Sequence, residues 1–320
     1  MDMEFLLLTV HSAATSRQAG LCRPRTSFAA RVVQVTLLLT IPILASLPLA
    51  AQKPSAAPGM TGGLFSYVVQ KGDSLTLVGA RFGITVATLA ALNGLRSNAF
   101  LRQGQTLQID NRHLMPRMLE NGIVVNIPQR MLFFFESGRL VGDYPVAVGR
   151  PDWQTPTGTF RVLEKQHQKV WHVPKSIQEE MRRERQVVRQ EVPPGPENPL
   201  GEYWMRFSPS CGIHGTNFPA SVYSVSTHGC LRLQPEAIAD IYPMVWEGMP
   251  VEIIYQPVLY GKIDDTCYLE VNRDVYGRRP PALEPIEAWA AASGLIGAIQ
   301  WSLVVDELRS SRGIARAICR

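Results

Sequence analysis

From residue 121 onward the chain settles into short apolar runs that recur about every ten residues. That spacing constrains the fold more than any other feature. Residues 123–127, 131–135 and 140–148 follow one another with Pro128-Gln129 and Ser137-Gly138 between them. Runs of this length joined by turn residues predict β-hairpins, so the expected fold class is a mainly β domain, an antiparallel barrel or sandwich, over residues 119–256. A Pro/Gly-rich loop (GRPDWQTPTGTF, 149–160) leads into a strand at 159–163. Residues 202–207 continue the sheet, 236–244 read as a helix, and VEIIY (251–255) as the closing strand. Residues 165–199 interrupt the pattern. Within them, residues 176–190 carry ten charged or amide side chains, a solvated surface helix whose position also suits an inserted helical lid over a cleft.

The chemistry concentrates in residues 213–233, IHGTNFPASVYSVSTHGCLRL, which hold two of the six histidines and one of the five cysteines. A thiol is nucleophilic as thiolate, and an imidazole nearby is the usual means of making one at neutral pH. Cys230 has two candidate partners, His228 two residues away and His214 upstream. Either histidine alone reads as a core residue and the cysteine alone as a small hydrophobe; together, with a glycine after each histidine, they read as a site. A metal is not expected, because His214, His228 and Cys230 lack a fourth ligand at zinc-type spacing, and no cofactor is implied.

The net charge of +5 is too small to argue for nucleic acid. Residues 32–51 form an uncharged apolar run behind arginines, closed by small residues, the layout of an export signal. The run is also long enough to stay as a membrane anchor, so residues 1–51 are expected to be one or the other and any membrane association to run through them. Residues 52–64 are a Pro/Gly/Ala/Ser-rich linker. Cys22 falls in the leader, and Cys211, Cys230, Cys267 and Cys319 are too scattered for a disulfide scaffold. A Cys267–Cys319 bridge can be drawn, whereas Cys211 reads as a core thiol. Residues 257–320 are expected to form a hairpin-like tail and then, over 284–317, a largely helical C-terminal extension docked on the body.

Residues 65–111 read strand, helix, helix, strand. Asp73 or Ser74 caps the first helix, Gly83 ends it, and Thr85 caps the second. The stretch YVVQKGDSLTLVGARFGITVATLAALNGLRSNAFLRQGQTLQI resembles a LysM module, a small α+β (βααβ) domain. That resemblance implies binding of N-acetylglucosamine-containing glycan strands in a groove lined by Gly72, Asp73, Ser74, Asn98 and Leu101.

His214-Gly215-Thr216 and Ser226–Leu233 (STHGCLRL), with the preceding TPTGTF and the inserted WHVPKSI and PPGPENPLG, resemble the L,D-transpeptidase (YkuD-like) catalytic domain of the exported ErfK/YbiS type. The resemblance implies peptidoglycan stem peptides as partners and a periplasmic or cell-wall location. Cys230 is then the nucleophile that attacks the third residue of a tetrapeptide stem, releasing D-alanine, and His214 the proton acceptor and donor. His228 becomes a supporting or substrate-orienting residue. The backbone N–H groups of Gly229 and Cys230 are candidates for the oxyanion hole. Thr227 holds the loop, and Gly215, Thr227 and Arg232 line the substrate, with Arg232 able to grip a carboxylate. The acceptor stays open: a neighbouring stem peptide, an outer-membrane lipoprotein, or water, which would make the protein an L,D-carboxypeptidase. A non-catalytic wall-binding protein is the alternative class.

Overall fold

The computed structural model describes residues 59–319, so the expected export segment lies outside the described residues. The first unit is β1 (Leu64–Val68), α1 (Leu75–Phe82), α2 (Val86–Leu92) and β2 (Thr106–Asp110), with the two strands paired antiparallel. Local chemistry sets its boundaries. Ser74 Oγ accepts the Leu77 N–H at 3.2 Å and Thr85 Oγ1 that of Thr88 at 3.1 Å, each satisfying a donor that the first helical turn leaves open. Gly83 ends α1 in the left-handed region at φ 71°. A Cβ there would also meet Met131, His113 and Pro145 at 3.0–3.3 Å, because the module packs on the main body at this turn. Val78, Leu89, Leu107 and Ile109 fill its core.

The main body is a ten-stranded sheet. It begins as the expected meander of β3 (Gly122–Asn126), β4 (Met131–Glu136) and β5 (Arg139–Gly149). There follow β6 (Gly158–Arg161), β7 (Glu164–His167), β8 (Tyr203–Arg206), β9 (Gly212–His214), β10 (Val225–Thr227), β11 (Leu231–Leu233) and β12 (Pro250–Ile254). Their order across the sheet is β6-β12-β3-β4-β5-β11-β9-β8-β7, with β10 attached to β5. The run MLFFF in β4 is buried throughout because both faces of the sheet are covered. Leu132 and Phe134 join Ile123, Val146, Ile213 and Leu231 in one cluster, while Phe133 and Phe135 join Val124 and Tyr223 in another.

The sheet is mainly β as expected but not purely antiparallel. The pairs β9–β11, β5–β10 and β3–β12 run parallel. Parallel neighbours need a long crossover: residues 215–230 provide the one between β9 and β11, whereas β12 returns beside β3 only after most of the domain, α4 (Pro235–Ile241) included. Hairpin turns in the sequence reveal only the first three strands.

The insertion between β7 and β8 closes on itself through Trp171↔Val192 and His172↔Glu191 and carries α3 (Lys175–Arg183). This helix is shorter than the expected 176–190, and none of its residues is buried.

The C-terminal extension differs from the expected helix. β13 (Val258–Ile263), β14 (Thr266–Val271) and β15 (Arg316–Ala317) form a three-stranded sheet against α5 (Glu284–Ala292) and α6 (Trp301–Ser310). Gly294 adopts φ 69° just past α5, which stops one long helix from forming. Cys267 and Cys319 are free thiols, with the Cys267 N–H on Cys319 Sγ at 2.7 Å.

Module, connector, sheet and extension meet at a buried polar clasp. His113 lies between the Gly83 carbonyl (Nε2, 3.0 Å) and Glu270 (Nδ1 to Oε1, 3.1 Å). Glu270 also accepts from Leu114 N (2.7 Å), Gln129 Nε2 (3.0 Å) and Asn272 Nδ2 (3.1 Å). Helix α1 additionally rests on the 3₁₀ turn Pro219–Ser221.

Candidate active site

Parallel pairing of β9 with β11 assembles the site. The register sets Ile213 beside Leu231 and His214 beside Arg232. Side chains alternate along a strand, so His214, Arg232 and Cys230 share one face. Cys230 is half-buried at the start of β11, with Sγ 3.5 Å from the Gly212 N–H and 3.9 Å from the Ser210 carbonyl. His214 is buried under Trp204, ring centroids 5.7 Å apart in a stacked arrangement. Its Nδ1 lies 2.7 Å from the Gly215 carbonyl. Burial and the neighbouring Arg232 charge push its pKa down to about 3, so the imidazole is uncharged at neutral pH. No hydrogen bond joins His214 to Cys230 among the described residues. Their strands bring them to one face, and the ring is engaged with the backbone.

The turn before the thiol explains its residue types. Gly229 has φ 103°, a region side chains avoid, and a Cβ would lie 3.2 Å from Cys211 Sγ. Thr227 Oγ1 donates to the Cys230 carbonyl at 2.6 Å and accepts the Gly229 N–H at 3.2 Å. The Gly229 N–H expected for the oxyanion hole is therefore occupied by Thr227 in this state. Arg232 Nη1 donates to Ser221 Oγ at 2.9 Å while its Nε is buried without a partner. Gly215 borders a cavity of about 490 Å³ that runs between Pro194–Asn198, Tyr203 and Asn217. Cys230 is not among the residues lining that cavity.

His228 points away from the thiol. Its ring meets Trp153 edge-on at 5.0 Å, and its Nε2 binds Glu180 of α3. In the small module Asp73 accepts from Tyr67 and the Gln70 N–H and pairs with Arg81 at 3.3 Å. Ser74 caps α1, and Leu101 packs on the core. Gly72 and Asn98 are exposed beside Phe100, whose ring is 99% exposed.

Two neighbours of the nucleophile escape a sequence reading. Glu180 sits far off in the lid. Cys211 reads as core and is buried, yet it belongs to the cluster against which Cys230 packs. That contact, with donors on Ser210 and Ser208, brings Cys211 down to about 6. The same contact, then burial, holds Cys230 well above the ordinary thiol range. Two thiols this close compete for their protons, and Cys211 favours the protonated form of Cys230. Replacing Cys211 by alanine is therefore expected to move iodoacetamide alkylation of Cys230 to lower pH. Peptide mass mapping across pH 5–10 (roughly the thiol range) checks this, and an unmoved profile would count against that coupling.

Comparison with known proteins agrees with this geometry. The YkuD family, described as the L,D-transpeptidase catalytic domain, matches residues 120–253, and the LysM domain matches residues 67–110. A relative in Salmonella typhimurium, named as a probable L,D-transpeptidase ErfK/SrfK, is 30% identical over 205 residues, covering 62% of this chain and 66% of that protein. The chain thus spans just under two thirds of that relative. The protein named YkuD in Bacillus subtilis is 29% identical over 191 residues, covering 59% of this chain and 99% of its own length. The NMR structure of the catalytic domain from E. faecium L,D-transpeptidase covers 42% of this chain and 98% of that one, at 21% identity and a TM-score of 0.32. Residues 120–253 are therefore a YkuD-type L,D-transpeptidase catalytic domain, with a LysM domain ahead of it at residues 67–110.

Proposed function

We propose that the protein is a peptidoglycan L,D-transpeptidase acting outside the cytoplasmic membrane through a thioester on Cys230. The observation that carries the reading is the half-buried Cys230 thiol on the same sheet face as the neutral His214. Cys230 attacks the carbonyl of the third residue of a tetrapeptide stem. His214 takes the thiol proton and later returns one to the leaving D-alanine amine. The Cys230 N–H, joined by that of Gly229 once Thr227 yields it, holds the oxyanion, and Arg232 offers its unpaired Nε to the substrate. An amine then takes the acyl group.

Support for a wall substrate comes from the LysM domain, which the clasp at His113 holds in a set orientation to the sheet. Its exposed edge at Gly72, Asn98 and Phe100 is the surface we assign to glycan strands. Fixing the domain raises the local concentration of stems around the thiol.

The test is incubation of the purified protein with disaccharide-tetrapeptide, followed by mass analysis of the muropeptides. D-alanine release with cross-linked dimers is expected. Tripeptide without dimers identifies water as the acceptor. No release, with retention on sacculi, would instead support a wall-binding protein. Stem–lipoprotein adducts in place of dimers, formed when an amine-bearing lipoprotein is added, would make lipoprotein attachment the reaction.

A further inference from the structure

Helix α3 has no fully buried residue, and its apolar Ile177 and Met181 are only half-buried, so apolar packing holds it weakly. Among the described residues, Glu180 is its one side chain bonded outside the insertion. Oε1 accepts from Arg150 Nη2 at 2.7 Å, and Oε2 binds His228 Nε2. The two partners come from separate parts of the sheet. Arg150 follows β5 and is fixed by its own N–H on the Thr227 carbonyl at 2.9 Å. His228 is held edge-on by Trp153 and stands two residues before the nucleophile. The contact with His228, and then that with Arg150, keep Glu180 below the ordinary carboxylate range. An arginine, which also pairs with Asp152, and an imidazole two residues ahead of Cys230 thus converge on a carboxylate of the surface insertion. Planar guanidinium with a second donor is the arrangement that recognises carboxylates, and a partly exposed ion pair exchanges partners readily.

We propose that Arg150 and His228 form a binding seat for the C-terminal carboxylate of the donor stem peptide, which Glu180 fills as an internal surrogate while the lid is down. The proposal rests on the transpeptidase reading for the identity of the ligand. A stem presenting its third-residue carbonyl to Cys230 carries its terminal carboxylate one residue further on, towards the same turn. Entry of that carboxylate displaces Glu180 and frees α3, so the substrate opens its own lid. A peptide lacking the terminal charge has nothing to exchange for Glu180.

The experiment measures equilibrium binding of a stem tetrapeptide and of its C-terminal amide to the full chain bearing Cys230→Ser, which cannot complete the reaction. The acid is expected to bind about 10-fold tighter than the amide, the scale of one charge-assisted hydrogen bond. Arg150→Ala should abolish that preference while leaving amide affinity unchanged. Glu180→Gln should tighten acid binding several-fold, roughly as the loss of an internal competitor predicts. Equal binding of acid and amide would overturn the seat, as would a preference that survives Arg150→Ala or an unchanged acid affinity in Glu180→Gln. Failure of the catalytic reading shows up separately, as absent D-alanine release by the unmodified chain while the acid preference persists.

Discussion

Cys230→Ser is expected to abolish acylation by a carbapenem, with the adduct mass lost on intact-protein mass spectrometry and the rate down on the order of 10³-fold or more. The oxygen analogue fits the same space between the Gly212 N–H and the Ser210 carbonyl. It lacks the thiol's acidity, so far less of the nucleophilic anion forms at neutral pH. His214→Ala should lower the rate about 10²–10⁴-fold, the usual range for a general base. His228→Ala should cost less, since that ring faces Glu180 and Trp153. An adduct that survives Cys230→Ser would move the nucleophile elsewhere, and Cys211 would be the first place to look. A larger loss at His228 than at His214 would reverse the assignment of the base.

Local chemistry was legible in the sequence, and tertiary contact was not. The helix caps at Ser74 and Thr85, the left-handed stop at Gly83 and the meander over residues 122–149 all follow from neighbours along the chain. The proposal of Cys230 and His214 as a pair also comes from the chain itself, through their glycine-flanked motif. The parallel pairing of β9 with β11, which sets those two on one face, depends on a crossover whose hand and length no periodicity reports. Cys211 looks like an ordinary core thiol until the register brings it against Cys230. Glu180 looks like one of many charges on a solvated helix until the insertion folds over Arg150 and His228. In the C-terminal region the hairpin and the helical stretch follow from local pattern, but the break at Gly294 and the late strand at Arg316–Ala317, which pairs back with the hairpin, do not. Chemistry written in short motifs survives the loss of the fold, whereas relations that cross segments do not.

Glu270→Ala is expected to destabilise the protein by about 3–5 kcal/mol, the cost of leaving one partner of a buried ion pair uncompensated. The carboxylate is fully buried and accepts from four groups: His113, Leu114 N, Gln129 and Asn272. Removing it orphans donors from the connector, the sheet and the extension at once, and the melting temperature should fall by roughly 10 °C. Glu270→Gln keeps the shape and most of the hydrogen bonds, so it should cost less, and the difference between the two variants isolates the charge. The pH dependence follows from His113. Burial opposes its protonation, but the Glu270 charge and hydrogen bond, with smaller help from Asp143 and the Gly83 carbonyl, raise its pKa above the ordinary imidazole value. A pKa raised on folding adds stability that is complete below the unfolded-state value and disappears as pH climbs through the folded-state one. Thermal melts of the unmodified protein should therefore lose stability across that alkaline-going window, and Glu270→Ala should flatten the loss. Because His113 also grips the Gly83 carbonyl, the same titration loosens the LysM domain from the sheet. Limited proteolysis of the connector at residues 111–121 should accelerate over the same window, and equal cleavage rates at both ends of it would count against the clasp as the element that orients the module.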